Sequence, residues 1–505
     1  MPLWDRLRQH SRNRPDACAV AIDGRALSYR DLARRAARLD AYVAALPRGP
    51  RPQAPLRDVP VFALLMGNHP MVAECLVAAL AGQSCVMLLD PLLPAAQLRA
   101  TLEKLPPDVL FIAGQWAETF HGMGFPVVPL DTPADLDALS DTDPAPAEPK
   151  DSDPFLIAFT SGTTSRPKAF LRNRRGWRVS LGAGRAHFGT HPNLHTLSPG
   201  PLTHGLSLYA LAETLDAGAC FHAMGRFSAS TAWDLMADHR LARLVCVPSV
   251  IDALYIAAPD RAPLDSLRQV TTAGAKLDDR LLAELSRIAP RANVTEYYGA
   301  SELGFVTTAS HRPDEPRIAG GRAGVGHPFP GVEIDIRAPL ESGEGTIWVR
   351  SAQTIDGYLW QDGATAFRRD RDWATVGDIG RIDGNGALRI IGRADGMVIS
   401  GGNNIYPEEV ATCLRHHPAI TEAAVIGLPD PSLGQAVVAV LGLDAQKPAP
   451  TVAELTTHCG AHMQKYKVPR RFLITQEWPM TASGKIATGQ LAQWIEKEDA
   501  RLVPL

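Results

Sequence analysis

Apolar residues recur at helical spacing in the first part of the chain. Between Ser28 and Leu46 the apolar positions alternate at intervals of four and three residues, namely Leu32, Ala36, Leu39, Val43 and Leu46. This spacing places them on one face of an amphipathic helix. Ser28, followed three residues later by Asp31, is typical of a helix N-cap. The pattern therefore predicts a helix that begins next to Ser28.

Short continuous apolar runs indicate buried strands. Examples are VPVFALLMG from residue 59, VLFIAG from residue 109 and LVCVPS from residue 244. They are bounded by Gly or Pro and alternate with helix-like stretches, as in sheets whose two faces are covered. The alternation predicts an α/β architecture.

Two changes in composition divide the chain. Residues 131–154 are acidic and rich in Pro, which predicts a loop or linker. Residues 393–402 are rich in Gly, and a mixed helix and strand pattern follows them. We expect a small C-terminal domain to begin there. The total of 505 residues has room for about three domain-sized units.

Charge and cysteine content narrow the function classes. The net charge of −3 offers no general attraction to nucleic acid or to an anionic membrane. The seven Cys residues include no C-x-x-C pair, so neither a disulfide framework nor a zinc site is indicated. The most apolar stretch, 75–89, is interrupted by Gln83 and Ser84. We expect a protein of the reduced cytosol, without a signal peptide or integral membrane association.

The positive charge of the chain is carried mainly by arginine. It has 42 Arg and only nine Lys. Because Arg serves for general surface charge here, each Lys is a candidate for specific chemistry that needs a compact, mobile ammonium group.

A polar loop follows the apolar run FLIAF. Its hydroxyl and glycine residues are Thr160, Ser161, Gly162, Thr163 and Thr164, and Lys168 comes shortly after them. Hydroxyl and backbone N–H donors with one mobile cation are what a polyphosphate needs. The Walker pattern is excluded because Pro167 precedes Lys168 and Ala169 follows it. The segment predicts a phosphate-binding loop of a different kind.

This loop resembles the phosphate loop of the adenylate-forming superfamily, which includes acyl-CoA synthetases, nonribosomal peptide adenylation domains and firefly luciferase. Ser165 and Ala169 stand where that superfamily usually has Gly. Further segments resemble its later motifs in order and approximate spacing: SPGPLTHG (198–205), TAGAK (272–276), EYYGASE (296–302), TVGD (375–378), GRAD (392–395), SGGNNIYPEEV (400–410), KVPR (467–470) and PMTASGK (479–485). The resemblance covers nearly the whole chain and is closest to stand-alone bacterial acyl-CoA ligases.

The resemblance implies a fold and a reaction. The fold is α/β, with a large N-terminal AMP-binding domain of layered α/β subdomains over 1–394 and a small mobile α+β domain over 395–505. The enzyme activates a carboxylic acid with ATP and Mg²⁺ to an acyl-AMP, releasing pyrophosphate, and then transfers the acyl group to coenzyme A.

The resemblance also assigns roles to individual residues. The implied catalytic residues are Lys485, Glu302, Thr163 and His204, and Glu302 is also the implied Mg²⁺ ligand. Tyr298 stacks on adenine, Asp378 binds the ribose and Asp395 is the hinge of the C-terminal domain. The remaining cofactor-binding positions are Thr160, Ser161, Gly162, Thr163, Thr164, Lys168, Gly274, Ala275, Lys276, Gly299, Ala300, Ser301 and Arg393, with Gly401 and Gly402 along the path of the pantetheine arm.

The acid is expected to be apolar. Relatives that activate amino acids carry an Asp near His204, whereas residues 205–211 contain no acid. Malonate-specific relatives carry an Arg where this chain has Tyr297. The pocket candidates are small or apolar apart from the His: His204, Gly205, Leu206, Leu208 and Ala273. They fit a fatty acid or another alkyl or aryl acid.

The acceptor has two candidates. Residues 339–393 are compact and leave no room for the insertion typical of ligases that load carrier proteins, which favours free CoA. The alternative is an adenylation enzyme that loads the phosphopantetheine of an acyl carrier protein. A third possibility is a non-catalytic nucleotide-binding regulator, which the retained Glu302, Asp378 and Lys485 argue against.

Overall fold

The computed structural model describes residues 3–51, 53–139, 149–160, 168–258, 261–277, 279–312, 324–340, 343–360, 367–393, 396–400, 403–431, 433–481 and 485–505. The chain divides into two compact units. The first unit comprises 1–334, 349–365 and 371–374, and the second comprises 335–348, 366–370 and 375–505.

Helices and strands alternate along the described chain. The helices are α1 (Leu3–Asn13), α2 (Tyr29–Ala45), α3 (Val72–Ala81), α4 (Ala95–Lys104), α5 (Pro133–Asp137), α6 (Arg174–His187), α7 (Gly205–Ala217), α8 (Ala229–Asp238), α9 (Pro248–Ile256), α10 (Asp279–Ile288), α11 (Pro407–Arg415), α12 (Val452–His462) and α13 (Thr488–Glu496). None of these described helices is long and apolar enough to cross a membrane.

The strands of the first half are β1 (Cys18–Ile22), β2 (Arg25–Ser28), β3 (Val61–Leu65), β4 (Cys85–Leu88), β5 (Val109–Ile112), β6 (Val127–Pro129), β7 (Pro154–Thr160), β8 (Lys168–Asn173), β9 (Thr196–Leu197), β10 (Phe221–Ala223), β11 (Arg243–Cys246), β12 (Gln269–Ala273), β13 (Asn293–Ala300) and β14 (Gly304–His311). Those of the second half are β15 (His327–Pro328), β16 (Glu333–Arg337), β17 (Gly345–Arg350), β18 (Tyr358–Trp360), β19 (Arg368–Asp370), β20 (Trp373–Thr375), β21 (Asp378–Ile382), β22 (Leu388–Arg393), β23 (Val398–Ser400), β24 (Asn403–Ile405), β25 (Ile420–Asp430), β26 (Gly434–Leu443), β27 (Arg471–Ile474) and β28 (Val503–Pro504).

Two large mixed sheets form the first unit. One has nine strands in the order β15-β14-β13-β12-β11-β9-β10-β1-β2, and the other has seven in the order β18-β8-β7-β4-β3-β5-β6. The central neighbours run parallel, as β11, β12 and β13 do, and antiparallel strands such as β14 and β8 extend the edges. The α/β class predicted from the sequence is confirmed.

The core of the first unit follows the period of two that a strand imposes. On β3, Phe62 and Leu64 face a core shared with α2, α3 and α7, whereas Ala63 and Leu65 face a second core beside α4. Both faces of β3 are therefore covered, which explains why its sequence is continuously apolar rather than alternating. The three apolar runs singled out in the sequence form the strands β3, β5 and β11, as predicted.

Helix α2 confirms the amphipathic pattern. Leu32, Ala36, Leu39 and Val43 are fully buried, and the Ser28 hydroxyl accepts a hydrogen bond from the backbone N–H of Asp31 at 3.1 Å. Leu46 is the C-cap residue and lies just outside the helix. The N-cap satisfies a backbone donor that the first helical turn leaves without a partner.

The predicted loop over 131–154 is wrong in one part. Residues Pro133–Asp137 form α5, because Thr132 and Asp135 make a reciprocal capping box and Pro133 occupies the first helical position. The signal was present as Thr-Pro-x-Asp, but the acidic, Pro-rich composition outweighed it. Residues 140–148 lie outside the described part of the chain.

The second unit contains a sheet in the order β24-β23-β26-β27-β28, with β25 also paired to β26. Alternate residues of β25 and β26 pack into two separate hydrophobic cores. Val425 and Ala439 face α11 and α12, whereas Ile426 and Val440 face α13. Gly345 and Thr346 of β17 pair with β21, which pairs with β22 in the same unit.

A buried ion pair crosses the core of the first unit. Arg243 Nη1 of β11 lies 2.5 Å from Glu213 Oε2 of α7, and both side chains are about 2–3% exposed. Arg243 also donates to the Thr271 hydroxyl at 3.3 Å. Removing one partner of such a pair leaves an uncompensated buried charge.

We expect Glu213→Gln to lower the free energy of unfolding by about 3–5 kcal/mol, because Arg243 then loses its counter-charge. The measurement is urea unfolding followed by tryptophan fluorescence. The matched control is Glu333→Gln, which removes the partner of Arg350 in a pair whose side chains are 59% and 45% exposed, and it should cost no more than about 1 kcal/mol. Equal losses in the two variants would contradict the prediction.

Candidate active site

The predicted phosphate loop joins two antiparallel strands. Thr160 ends β7, Lys168 begins β8, and the two residues face each other in the strand register. Ser161, Gly162, Thr163 and Thr164 lie outside the described residues, as does the side chain of Thr160. The structure therefore fixes the two ends of the loop, and the roles of its hydroxyl groups stay a prediction.

A buried arginine on β8 fixes the position of the loop's second strand. The Arg172 guanidinium donates to the carbonyl oxygens of Ser301, at 2.5 Å, and of Gln353. Burial lowers the pKa of Arg172 to about 10, and the negative charge of Glu302 opposes that shift. Arg172 is thus cationic at neutral pH and lies next to the predicted Mg²⁺ ligand.

Glu302 lies in a pocket of polar contacts. Its side chain is nearly buried, and Oε1 accepts a hydrogen bond from the Tyr358 hydroxyl at 2.5 Å. Tyr358 belongs to β18, which pairs with β8, and its ring centre is 5.8 Å from Lys168 Nζ. Glu302 and Lys168 are far apart in sequence, but the fold brings both to Tyr358: Glu302 to its hydroxyl group and Lys168 to its ring.

This arrangement fits a magnesium ion with a polyphosphate. Carboxylate oxygen is a ligand that Mg²⁺ prefers, and Mg²⁺ is usually held by one or two carboxylates together with substrate phosphates. Glu302 could supply such an oxygen, and Lys168, which lies against the same tyrosine, could supply a cation for the phosphate oxygens.

The predicted adenine-binding residues lie at the carboxyl ends of neighbouring parallel strands. Ala273 ends β12 and faces Tyr297 of β13 in the register. Gly274 follows with φ of +92°, a conformation that favours glycine. Ala275 comes next, and Lys276 Nζ donates to the Gly324 carbonyl at 2.5 Å. In open α/β sheets this edge is where ligands bind.

The remaining predicted adenine-binding residues lie at and just after the end of β13. Tyr297, Tyr298 and Ala300 are half-buried, Ser301 is exposed, and the Tyr297 ring packs against Phe305. Burial raises the pKa of Tyr297 far above its ordinary value.

Gly299 has a reason within the fold to be glycine. A Cβ on Gly299 would collide with the backbone carbonyl of Gly304 on the paired strand β14. The resemblance places Gly299 among the cofactor-binding positions, and the crowding between the two strands is a sufficient reason for a glycine on its own.

His204 and its neighbours surround the start of α7. His204 is the N-cap residue, and its Nε2 is 3.9 Å from Asp90 Oδ2. Burial lowers the pKa of His204 while the carboxylate of Asp90 opposes the shift, so the environment favours the neutral imidazole. Gly205 is exposed, Leu206 is half-buried and Leu208 packs in the main core.

The second unit brings Asp378, Arg393 and Lys485 together. Asp378 and Arg393 face each other on β21 and β22, and Arg393 Nε donates to Asp378 Oδ1 at 2.9 Å. Desolvation lowers the pKa of Lys485, the charge of Arg393 lowers it further, and Asp378 and Glu408 oppose the shift. Asp395, Gly401 and Gly402 lie outside the described residues, so the hinge and the pantetheine path stay predictions.

The proposed link between lysine and a mobile ammonium is wrong for Lys467. This side chain is nearly buried, and its Nζ donates to both carboxylate oxygens of Glu409, at 2.7 and 2.8 Å. Glu409 lies in the first turn of α11, so Lys467 holds the start of that helix.

Sequence reasoning missed three residues that build the site, namely Arg172, Gln353 and Tyr358. The backbone carbonyl of Gln353 accepts a hydrogen bond from Arg172, and its side-chain Oε1 accepts one from the backbone N–H of Phe305. Nothing local marks these residues, because their roles depend on the pairing of β8 with a strand almost two hundred residues later in the chain.

Comparison with family models identifies both parts of the chain. The model of AMP-binding enzymes matches residues 7–359, and the model of the AMP-binding enzyme C-terminal domain matches residues 409–485. An uncharacterized acyl–CoA ligase of Bacillus subtilis, YhfT, is 30% identical over 444 residues, covering 86% of this chain and 88% of that protein. The indoleacetate–CoA ligase of Aromatoleum aromaticum is 28% identical and covers 99% of each chain.

Solved structures share the fold over the full length. The o-succinylbenzoate CoA synthetase of Bacillus subtilis, in complex with its acyl-adenylate intermediate, has a TM-score of 0.79 at 25% identity and covers 100% of this chain and 99% of that one. ATP-bound MatB from Rhodopseudomonas palustris has a TM-score of 0.84 at 22% identity, covering 99% and 100%. The expected arrangement of a large N-terminal and a small C-terminal domain is confirmed.

We expect Tyr358→Phe to weaken the binding of Mg²⁺·ATP by about 10- to 100-fold, because a charge-assisted hydrogen bond that orients Glu302 is worth about 1.5–3 kcal/mol. Isothermal titration of the full chain measures the affinity. Tyr42→Phe, on α2, is the matched control and should bind as the wild type does. Unchanged affinity in Tyr358→Phe would show that the bond to Glu302 does not support the nucleotide site.

Proposed function

The chain belongs to the family of AMP-binding enzymes, and on that premise we propose that it acts on a fatty acid or another apolar or aryl carboxylic acid. It is an acid–thiol ligase that activates a carboxylic acid with ATP to an acyl-AMP and forms the CoA thioester. It uses ATP and Mg²⁺.

The placing of Glu302 and Lys168 around Tyr358 is the observation that carries the proposal for the first half-reaction. A carboxylate that attacks the α-phosphorus of ATP brings one anion against several, so positive charge must be placed in advance. Mg²⁺ supplies part of that charge when bound. Glu302 is the residue that would hold it, and Lys168 would bind the departing phosphates.

Lys485 is proposed as the catalyst of acyl-AMP formation. Its ammonium group would lie between the substrate carboxylate and the α-phosphate and neutralise the charge that spreads in the transition state. Asp378 would accept hydrogen bonds from the ribose, and Arg393, which pairs with Asp378, would contact the nucleotide. The electrostatic influence of Asp378 and Arg393 on Lys485 supports this grouping.

The apolar acid is proposed from the neighbours of His204. The environment favours the neutral imidazole, Leu206 and Leu208 follow it on α7, and residues 205–211 carry no charged side chain that would hold a substrate ammonium. The relatives include ligases named for long-chain fatty acids, indoleacetate and 2-succinylbenzoate, so their named substrates include both alkyl and aryl acids. Within that range, an acid without an amino group is the substrate we propose.

The relatives named as CoA ligases support free CoA as the acceptor, and an acyl carrier protein is the less favoured alternative that the experiment below tests. We further propose that 1–394 binds ATP and acid and that 395–505 turns about Asp395 between the half-reactions. In the second orientation, Gly401 and Gly402 would line the path of pantetheine. A change of domain orientation needs only a few residues that absorb a large dihedral change.

The experiment is a panel of alkyl, aryl and amino acids with ATP and Mg²⁺, each with and without CoA, following pyrophosphate and thioester mass together. We expect alkyl or aryl acids to release pyrophosphate and to give a thioester with free CoA. Lys485→Ala should lose about 10²–10³-fold in pyrophosphate release, because one preorganised charge is removed.

Three results would change the proposal. Acyl-AMP formation without thioester, restored by an acyl carrier protein, would favour the alternative acceptor. Near-normal pyrophosphate release by Lys485→Ala would overturn the role of Lys485. Lack of pyrophosphate release with every acid would overturn the proposed substrate class.

The lowered pKa of Lys485 predicts an alkaline limit to acyl-AMP formation. The ammonium form is the active one, and a lowered pKa means that it is lost at a lower pH than an ordinary lysine would be. The rate should therefore fall as pH rises through that pKa. In Lys485→Arg the charge persists, so the alkaline limb should move to higher pH whatever the absolute rate. An identical limb in both proteins would assign it to another group.

A further inference from the structure

Two helices of the second unit bring three metal-ligating side chains together. Cys413 lies on α11, and His458 and His462 lie one turn apart on α12. The Cys413 sulfur and one ring nitrogen of each histidine lie within 4.8 Å of one another. We call these three residues the thiol–imidazole cluster.

The hydrogen bonds of the two histidines fix their tautomers. His458 Nε2 lies 2.9 Å from the Cys413 carbonyl oxygen, and His462 Nδ1 lies 2.8 Å from the His458 carbonyl oxygen. A carbonyl only accepts, so each of these nitrogens carries its proton. In the neutral imidazole, the other nitrogen of each ring, Nδ1 of His458 and Nε2 of His462, is then the one that can bind an ion.

The same arrangement is found around metal-ligating histidines. There, one ring nitrogen binds the ion and the other donates to a carbonyl or carboxylate that orients the ring. In the thiol–imidazole cluster both orienting bonds are already made by the backbone of α11 and α12. Cys413 is half-buried beside them, and its thiol also contacts that of the buried Cys459.

We propose that the thiol–imidazole cluster binds Zn²⁺ or a divalent ion of similar ligand preference. One thiolate and two imidazoles are ligands that Zn²⁺ prefers, and its bonds of about 2.0–2.3 Å separate tetrahedral ligands by about 3.3–3.7 Å. The side chains must therefore close by roughly 1 Å. Water takes the fourth position, and the Cys413 thiol releases its proton to solvent as the ion binds.

The consequence of binding is a link between α11 and α12. Helix α11 begins at Pro407, directly after the predicted pantetheine segment, and Glu409 in its first turn pairs with Lys467. The ion would hold the other end of this helix, near Cys413. This site goes beyond the proposed function and does not rest on it, because the nucleotide metal is assigned to an oxygen ligand, Glu302, of the first unit.

The sequence did not indicate a zinc site because it contains no C-x-x-C pair. The cluster instead combines the H-C-x-x-H segment of α12 with a cysteine that lies 45 positions before His458. Only the packing of α11 against α12 brings these ligands together.

The test uses the full chain without a purification tag and without ATP. Zn²⁺ affinity is measured by competition with a chromophoric chelator, and Co²⁺ serves as the spectroscopic probe for a thiolate ligand. The variants are Cys413→Ser and His462→Gln, and the matched control is His416→Gln, an exposed histidine beside the cluster. Thermal unfolding with and without Zn²⁺ is the second readout.

We expect one Zn²⁺ per chain and a thiolate-to-cobalt charge-transfer band in the wild type and in His416→Gln. Cys413→Ser should lose the band, and both cluster variants should bind Zn²⁺ about tenfold or more weakly. Zn²⁺ should raise the unfolding temperature of the wild type and the control more than that of the two variants. Because His462 is exposed, its variant tests the site without disturbing a core.

The proposal would be overturned by Zn²⁺ binding that is as tight in the two cluster variants as in His416→Gln. It would equally be overturned by a wild-type Co²⁺ spectrum without the thiolate band. Neither result depends on acyl-AMP formation, so the metal site and the proposed activity can fail separately.

Discussion

One buried guanidinium holds together the strands around the proposed nucleotide site of the first unit. Arg172 would be costly to bury without partners, and it is compensated by two backbone carbonyls and by the charge of Glu302. Because those carbonyls belong to Ser301 and Gln353, strand β8 cannot shift without breaking both bonds. The end of β8 that carries Lys168 is thereby held near Glu302. The geometry of the proposed phosphate and metal site thus depends on Arg172, a residue to which the proposed reaction assigns no role.

The second unit is organised by charges in a comparable way. Asp378 and Arg393 pair across neighbouring strands and both act on Lys485, whereas Lys467 and Glu409 hold the start of α11. Two lysines in adjoining segments therefore have opposite environments. Lys467 donates to both oxygens of the Glu409 carboxylate, whereas desolvation and the charge of Arg393 lower the pKa of Lys485. The lysine that we propose as the catalyst is thus distinguished by its surroundings rather than by the rarity of lysine in this chain.

The sequence predicted the parts of the structure that depend on local spacing. The period of α2, the Ser28 cap and the buried strands β3, β5 and β11 all follow from residues within a few positions of each other. Glu302 and Lys168 could be named from motifs, but their common neighbour Tyr358 could not. Arg172, the pair of Arg243 with Glu213, and the thiol–imidazole cluster all depend on contacts between distant segments. Helix α5 is different, because its capping box can be read from the sequence but the acidic, Pro-rich composition around it indicated a loop.

The environment of Lys467 has a consequence for chemical labelling and for acylation of lysine side chains. The Lys467 side chain is nearly buried and donates to both carboxylate oxygens of Glu409, which shields its nitrogen from an electrophile. Lys485 is exposed, and its pKa is lowered. Because the acyl adenylate is a reactive intermediate of this ligase, we expect Lys467 to escape acylation and Lys485 to be accessible to it.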